Sequence, residues 1–325
     1  MEETYGMEKR IDHVDILKAF GILMMVMGHI HFGNSFYIWI HSFHMPLFFV
    51  ISGYFYKQAS FRLELKKSTK SLLVPYITFG VFHILLSFIL YGYNSSSWYI
   101  LFYENTQGIP IGGALWFLTA LFFTRLTYNL VVKINTLKLQ CIIICIISIG
   151  GMILATYLPF RLPLAFDAGM IGVGFYHFGR QLRGKWHMLI EQNLCISFLL
   201  LLVFTGLGLF NGLVNLRSGK YANWLLFWLD SVGIIIALWN LARIVDPKIT
   251  IHKEWVLNIS KYSIVYVCMN QVVIFLINMV FSKIAEGGAL KYLLSHTLTL
   301  ILTMLILYGL SVLITRTKLK FLIGK

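Results

Sequence analysis

Asp15, Lys18 and His29 sit in one apolar stretch, DILKAFGILMMVMGH, and bring an acid, a base and an imidazole into it. Those are the groups of proton transfer. On a helix advancing 100° per residue, Asp15 and Lys18 are three apart and share a face. His29 follows Lys18 by eleven positions, about three turns and about 16 Å, and returns to nearly the same azimuth. Leu17, Phe20, Leu23, Met24 and Met27 surround the rest of the helix. A charge facing lipid at mid-membrane costs roughly 2.5–3.5 kcal/mol on insertion scales, so the stripe must face a protein interior or a wet cavity. His29 is the member of the stripe that can take up and release a proton near neutral pH. The competing readings are a core histidine satisfied by a carbonyl, and an Asp15–Lys18 pair that only neutralises itself.

Other residue sets suggest binding rather than proton transfer. Lys66, Lys67 and Lys70 in LKKSTKSLLVP occupy i, i+1 and i+4 if a helix begins before them, and could meet phosphates as point charges. A basic cluster of this kind also fixes membrane topology and touches anionic lipid, which is the plainer reading. His29, His31, His41 and His44 crowd together, and His41 and His44 share a face at i, i+3. No acidic residue lies between positions 16 and 63 to complete a metal site, so no metal is assigned, although imidazoles alone can hold zinc. No Gly-rich nucleotide loop is visible. The pairs Gly112-Gly113 and Gly150-Gly151 read as helix-packing positions. Cys141, Cys145, Cys195 and Cys268 lie in apolar segments and read as buried small hydrophobes rather than a disulfide framework.

The elements that must position these residues follow from composition. Of 325 residues, 58% are hydrophobic and 12% charged, which excludes a water-soluble globule. The net charge of +14 falls between apolar runs, so it points to membrane orientation and not to nucleic acid. Spanning segments are expected near 12–32, 36–56, 72–92, 113–132, 138–158, 166–182, 193–213, 222–243, 256–281 and 292–314. The first lacks a small-residue cleavage site and reads as a retained helix. No soluble domain, internal repeat or low-complexity tract interrupts them, so residues 1–325 read as one transmembrane domain. With the N-terminus inside, only Arg161, Arg217, Lys220, Lys283 and Lys291 fall on the outer side, out of 27 Lys and Arg. The expectation is an all-α integral membrane protein, a bundle of about ten transmembrane helices with both termini cytoplasmic.

The stretches RIDHVDILKAFGILMMVMGH and IHSFHMPLFFVISGYFYK resemble the opening of the membrane-bound acyltransferase 3 family, whose members include polysaccharide O-acetyltransferases and fucose 4-O-acetylase-like proteins. The likeness continues through KKSTKSLLVPY, GGALWFLTALFF, AFDAGMIGVGFYHFGRQLR and ISKYSIVYVCMNQ. A basic residue, ten spacers and a histidine (Lys18 to His29), followed by SFHMPLFF-x-x-SGY, is the specific part. The resemblance implies a ten-helix bundle in a bacterial-type cell membrane and acyl transfer from acyl-CoA, typically acetyl-CoA, to a glycan hydroxyl. It implies His29 as general base, Lys18 near the donor or active site, and His44 as an active-site wall. Such a reaction needs a base and stabilisation of a tetrahedral oxyanion. Lys66, Lys67 and Lys70 would then meet the phosphates of coenzyme A. Trp116 and Asp167 are weaker substrate-site candidates, with a membrane-interface anchor and an interfacial carboxylate as the plainer readings. One departure stands out: Asn270 occupies the place where such proteins often carry histidine. Asparagine can position a hydroxyl or carbonyl but cannot take a proton near neutral pH.

Two function classes follow. The first is an integral-membrane O-acyltransferase using acyl-CoA and acting on a cell-surface glycan or its lipid-linked precursor. The second is a transporter or flippase for a glycan or lipid intermediate, with the buried charges lining its path. Release of free thiol from acetyl-CoA separates the two. Neither reading fixes an oligomeric state.

Overall fold

The computed structural model describes residues 12–109, 111–246, 253–281 and 289–324. Lys9, Arg10, Lys248, Lys283 and Lys325, which enter the orientation argument, lie outside the described residues. Among the described residues the chain is helical, with two isolated bridges and no strand.

Helix α1 (Asp12–Ile30) runs into α2 (Asn34–Tyr54) through a three-residue turn. α3 (Phe61–Ser68) passes through a π turn at Thr69–Leu73 into α4 (Val74–Tyr91). This helix therefore starts eleven residues before the expected span at 72. Pro75 lies in its first α turn, where the missing N–H leaves the ladder one bond short, and the wider turn just before it absorbs the mismatch. A short α5 (Ser96–Phe102) precedes α6 (Trp116–Val131), α7 (Leu137–Tyr157) and α8 (Phe166–Arg183). The chain closes with α9 (Leu194–Asn211), α10 (Trp224–Val245), α11 (Lys253–Lys261), α12 (Ser263–Phe281) and α13 (Ala289–Arg316).

Among the described residues, eight helices are long and apolar enough to cross a membrane: α1, α2, the α3–α4 unit, α7, α9, α10, α12 and α13. The protein is an all-α membrane protein. α6 has only 16 residues, and α8 carries Asp167, Arg180 and Arg183, so neither qualifies on length and composition although both lie where spans are expected. Both are inner helices, with α8 packed against α2, α6 and α7. α9 is an outer one, since 17% of its window is buried against 61% for α2.

Two details lock the centre. Pro46 cannot donate to the Ser42 carbonyl four residues back, and the Ser231 hydroxyl of α10 fills that vacancy at 2.5 Å. α2 and α8 cross through glycines: a Cβ on Gly53 would lie 1.9 Å from the Tyr176 carbonyl oxygen, and one on Gly179 would lie 2.0 Å from that of Val50. Backbone touches backbone at both points. The four cysteines are all free, but only Cys268 is buried; Cys145 and Cys195 are exposed on the outer faces of α7 and α9 and Cys141 is half-buried. An apolar segment on the rim of a bundle presents half its residues to lipid, which the residue type alone does not reveal.

Candidate active site

The polar stripe of α1 opens into two cavities rather than one. Asp15 and Lys18 line a cavity of about 510 Å³ at the end of the bundle where α1 begins. His29, near the other end of α1, lines a cavity of about 110 Å³. Phe48, Phe117 and Val267 line both, so three apolar side chains from α2, α6 and α12 form the partition. The Phe48 and Phe117 rings stand 5.8 Å apart across it.

The larger cavity is basic. Lys18, Lys57, Lys67 and Arg125 line it, against Asp15 and Glu64. Both carboxylates are engaged. Glu64 is buried, receives Arg125 at 2.7 Å and accepts from the Ser68 hydroxyl at 3.0 Å. Asp15 accepts from the Ser260 hydroxyl of α11. The expected lysine cluster divides here: all three are exposed, but Lys67 lines the cavity whereas Lys66 and Lys70 line neither. Residues 66 and 67 differ by 100° around α3, so they cannot both face inward.

The smaller cavity gathers His29, His41, His44, Tyr37, Trp116, Gly113 and Arg217. His44 and Trp116, both singled out in the sequence, thus line the same cavity as His29. His41 and His44 direct Nδ1 at the carbonyls of Tyr37 (2.8 Å) and Ile40 (2.7 Å), so each donates N–H there and keeps its lone pair on Nε2. His29 is set the other way. The main-chain N–H of Gly113 donates to the Gln271 side chain, which must therefore turn Oε1 to Gly113 and its NH2 group to His29. That NH2 lies 2.9 Å from His29 Nδ1, so Nδ1 accepts and the neutral ring carries its proton on Nε2. Gly113 is required for this: a Cβ there would stand 2.8 Å from both Gln271 Oε1 and Arg217 Nη1. Gly112 likewise makes room for His83, whose Nδ1 would be 2.1 Å from an added Cβ. The pair at 112–113 lies in the turn before α6 and admits polar side chains, which corrects its reading as helix packing. Gly151, by contrast, does pack against the backbone of α8.

Two candidates are not brought to either cavity. Asn270 is fully buried and its amide bonds back to the carbonyls of Tyr266 (2.9 Å) and Val267 (2.8 Å) of its own helix. Asp167 is fully buried at the start of α8, paired with Arg161 at 2.6 Å and capping the Ala168 N–H at 2.8 Å. It braces an inter-helix loop. Sequence reasoning missed Gln271, Arg217, Lys57 and Arg125. Gln271 carried a signal, a second amide beside Asn270 in an apolar run, and one helical step separates burial in α12 from contact with His29. Among the described residues, no group of three or more His, Cys, Asp or Glu is arranged to hold a metal ion.

Inside this polytopic helical bundle a basic chamber and a histidine-lined one abut across an apolar partition. The family model described as acyltransferase domain, of the acyltransferase 3 group, matches residues 11–315, and the chain belongs to that family. The comparisons with curated proteins and with solved structures found no match.

Proposed function

We propose that this membrane acyltransferase moves an acyl group, acetyl first among those to test, from acyl-CoA to a hydroxyl of a cell-surface polysaccharide or its lipid-linked precursor. One observation carries the reading: a basic chamber and a histidine-lined chamber abut across Phe48, Phe117 and Val267. The roomier chamber suits the phosphate-bearing donor, with Lys18, Lys57, Lys67 and Arg125 as counter-charges. The smaller is well below the usual 300–1,000 Å³ of a ligand pocket, so it takes an acyl group and only the hydroxyl-bearing edge of an acceptor.

In the reaction the acceptor oxygen attacks the thioester carbonyl and its proton passes to His29. The tetrahedral intermediate then expels the thiolate of coenzyme A, which recovers the proton. The base atom is Nδ1, so the acceptor hydroxyl takes the place now held by the Gln271 amide. In this reading the chain forms ten spans within one domain, with both termini cytoplasmic in a bacterial-type plasma membrane, the basic chamber inside and the His29 chamber outside. Reporter fusions after Lys67 and Lys138 test this and are expected to read cytoplasmic, with fusions near Asn105 and Arg217 external; an external Lys67 fusion overturns the orientation. The reaction itself is tested by thiol release from acetyl-CoA by purified protein supplied with a glycan acceptor. Absence of thiol release favours the second reading, a gated path for a glycan or lipid intermediate, which the same partition between chambers supports.

A further inference from the structure

Arg217 belongs to the turn between α9 and α10, which is braced at its base by paired hydrogen bonds between Asn215 and Lys220 at 2.8 and 3.1 Å. Arg161 holds the Leu216 carbonyl at 3.1 Å, and the Asn215 side chain accepts from the Ser218 N–H at 3.1 Å. The turn therefore presents a fixed guanidinium. Its Nε donates to the Thr106 carbonyl at 2.7 Å and its Nη2 to that of Gln107 at 2.5 Å. Nη1 is turned toward Gly113, at the wall of the His29 cavity.

Those fastenings are to neutral carbonyls, and among the described residues no carboxylate lines the cavity. The other titratable lining groups are His29, His41, His44 and Tyr37. Imidazoles can add positive charge there but not negative charge, and arginine stays protonated at any working pH. The guanidinium is half-buried, and burial draws its proton affinity below the ordinary arginine value, as expected of a cation short of counter-charge. An arginine held rigid, partly desolvated and uncompensated at a cavity wall is the arrangement that selects planar or tetrahedral anions.

We propose that Arg217 binds an anionic group of the acceptor, a carboxylate or a phosphate, carried next to the hydroxyl that is acylated. The inference rests on the smaller cavity being the acceptor side. Because that cavity admits only one edge of a sugar, the charge and the hydroxyl belong to the same residue or to adjoining ones. Uronic-acid glycans and sugar phosphates supply this chemistry; a neutral glycan does not.

The test uses the full chain in detergent at low salt, without donor, and equilibrium dialysis of three probes: methyl glucuronide, glucose 1-phosphate and methyl glucoside. The expected result is at least about tenfold tighter binding of one charged probe than of the glucoside, weakening as salt rises. Which charged probe wins names carboxylate or phosphate. Arg217→Gln removes the preference, and Arg217→Lys keeps part of it as a point charge without the fork. Should Arg217→Gln not fold, the retained, salt-sensitive preference of Arg217→Lys carries the test. Equal treatment of the three probes by the wild type, including no binding of any, overturns the proposal, as does a preference that survives Arg217→Gln or vanishes in folded Arg217→Lys. Thiol release from acetyl-CoA is measured separately on the same protein: its absence tells against the acyltransferase reaction and leaves the binding comparison intact.

Discussion

Gln271 donates its side-chain N–H to Nδ1 of His29 at 2.9 Å, across the interface between α12 and α1. Because the Gly113 N–H fixes the other end of the amide, this contact sets which ring nitrogen of His29 carries the proton. It also occupies the lone pair that a general base uses. In the proposed mechanism Gln271 stands where the acceptor hydroxyl arrives, which makes it a positioning residue with its own place in the pH behaviour.

Gln271→Glu is expected to move that behaviour. A carboxylate in the same place pairs with the protonated ring and holds the proton on His29. The base must be free to act, so the acid limb of the kcat against pH profile shifts to higher pH and activity near neutrality falls. Gln271→Ala removes the donor that opposes protonation at Nδ1, so the limb moves in the same direction but less than with the carboxylate, while acceptor KM rises as His29 loses an orienting contact. Superimposable pH profiles for Gln271→Glu and wild type would separate Gln271 from proton transfer.

Much of this arrangement was legible beforehand, for identifiable reasons. The stripe of Asp15, Lys18 and His29 follows from helical period and from the cost of charge in lipid, and both cavities lie along it. His44 and Trp116 sit in the recognised stretches and do line the His29 cavity. What failed was rotational phase. Asn270 and Gln271 differ by one position, and only packing against α1 decides which of them meets His29. Lys66 and Lys67 differ in the same way on α3. Arg217 was unreadable for another reason: it reaches the cavity from a loop through the carbonyls of Thr106 and Gln107, some 110 residues away in the chain, and periodicity says nothing about loops.

The division of the lysines gives a test of donor binding. Lys67→Gln is expected to raise the KM for acyl-CoA about three- to tenfold, consistent with ~1 kcal/mol for one charge at a wet mouth, with little change in acceptor KM. The double change Lys66→Gln and Lys70→Gln, at exposed positions off the cavity, is expected to leave donor KM within twofold. Steady-state kinetics on matched amounts of inserted protein decide. An equal rise in both variants returns the lysines to a general role in membrane topology.

The partition yields a different signature. Val267 is 7% exposed and faces both chambers. Val267→Phe adds a ring to a wall already holding Phe48 and Phe117, at an overpacking cost of about 1–3 kcal/mol. If the thioester must reach through this wall, acyl transfer falls about a hundredfold, as expected for a misplaced reacting atom. Acyl-CoA binding at the basic chamber persists. Dialysis binding of a non-hydrolysable acyl-CoA beside the transfer rate separates the two effects, and unchanged transfer removes the partition from the route.

His29 carries the sharpest expectation, because two other imidazoles share its cavity. His41 and His44 each spend Nδ1 on a carbonyl four residues back, so their rings are pinned and their free lone pairs sit on Nε2. His29 alone is held by a side chain that can turn away. His29→Ala is therefore expected to lower acyl transfer by about 10²–10⁴-fold, the usual worth of a general base, with donor binding intact. His29→Gln does no better, since an amide hydrogen-bonds but does not accept the proton. His44→Ala removes a wall and a hydrogen bond to Ile40 and is expected to cost less, chiefly in acceptor KM. Purified variants compared for kcat, acceptor KM and acyl-CoA binding give the answer. If His44→Ala loses kcat as deeply as His29→Ala while binding both substrates, the proton passes through His44, and the polar stripe of α1 serves to position rather than to react.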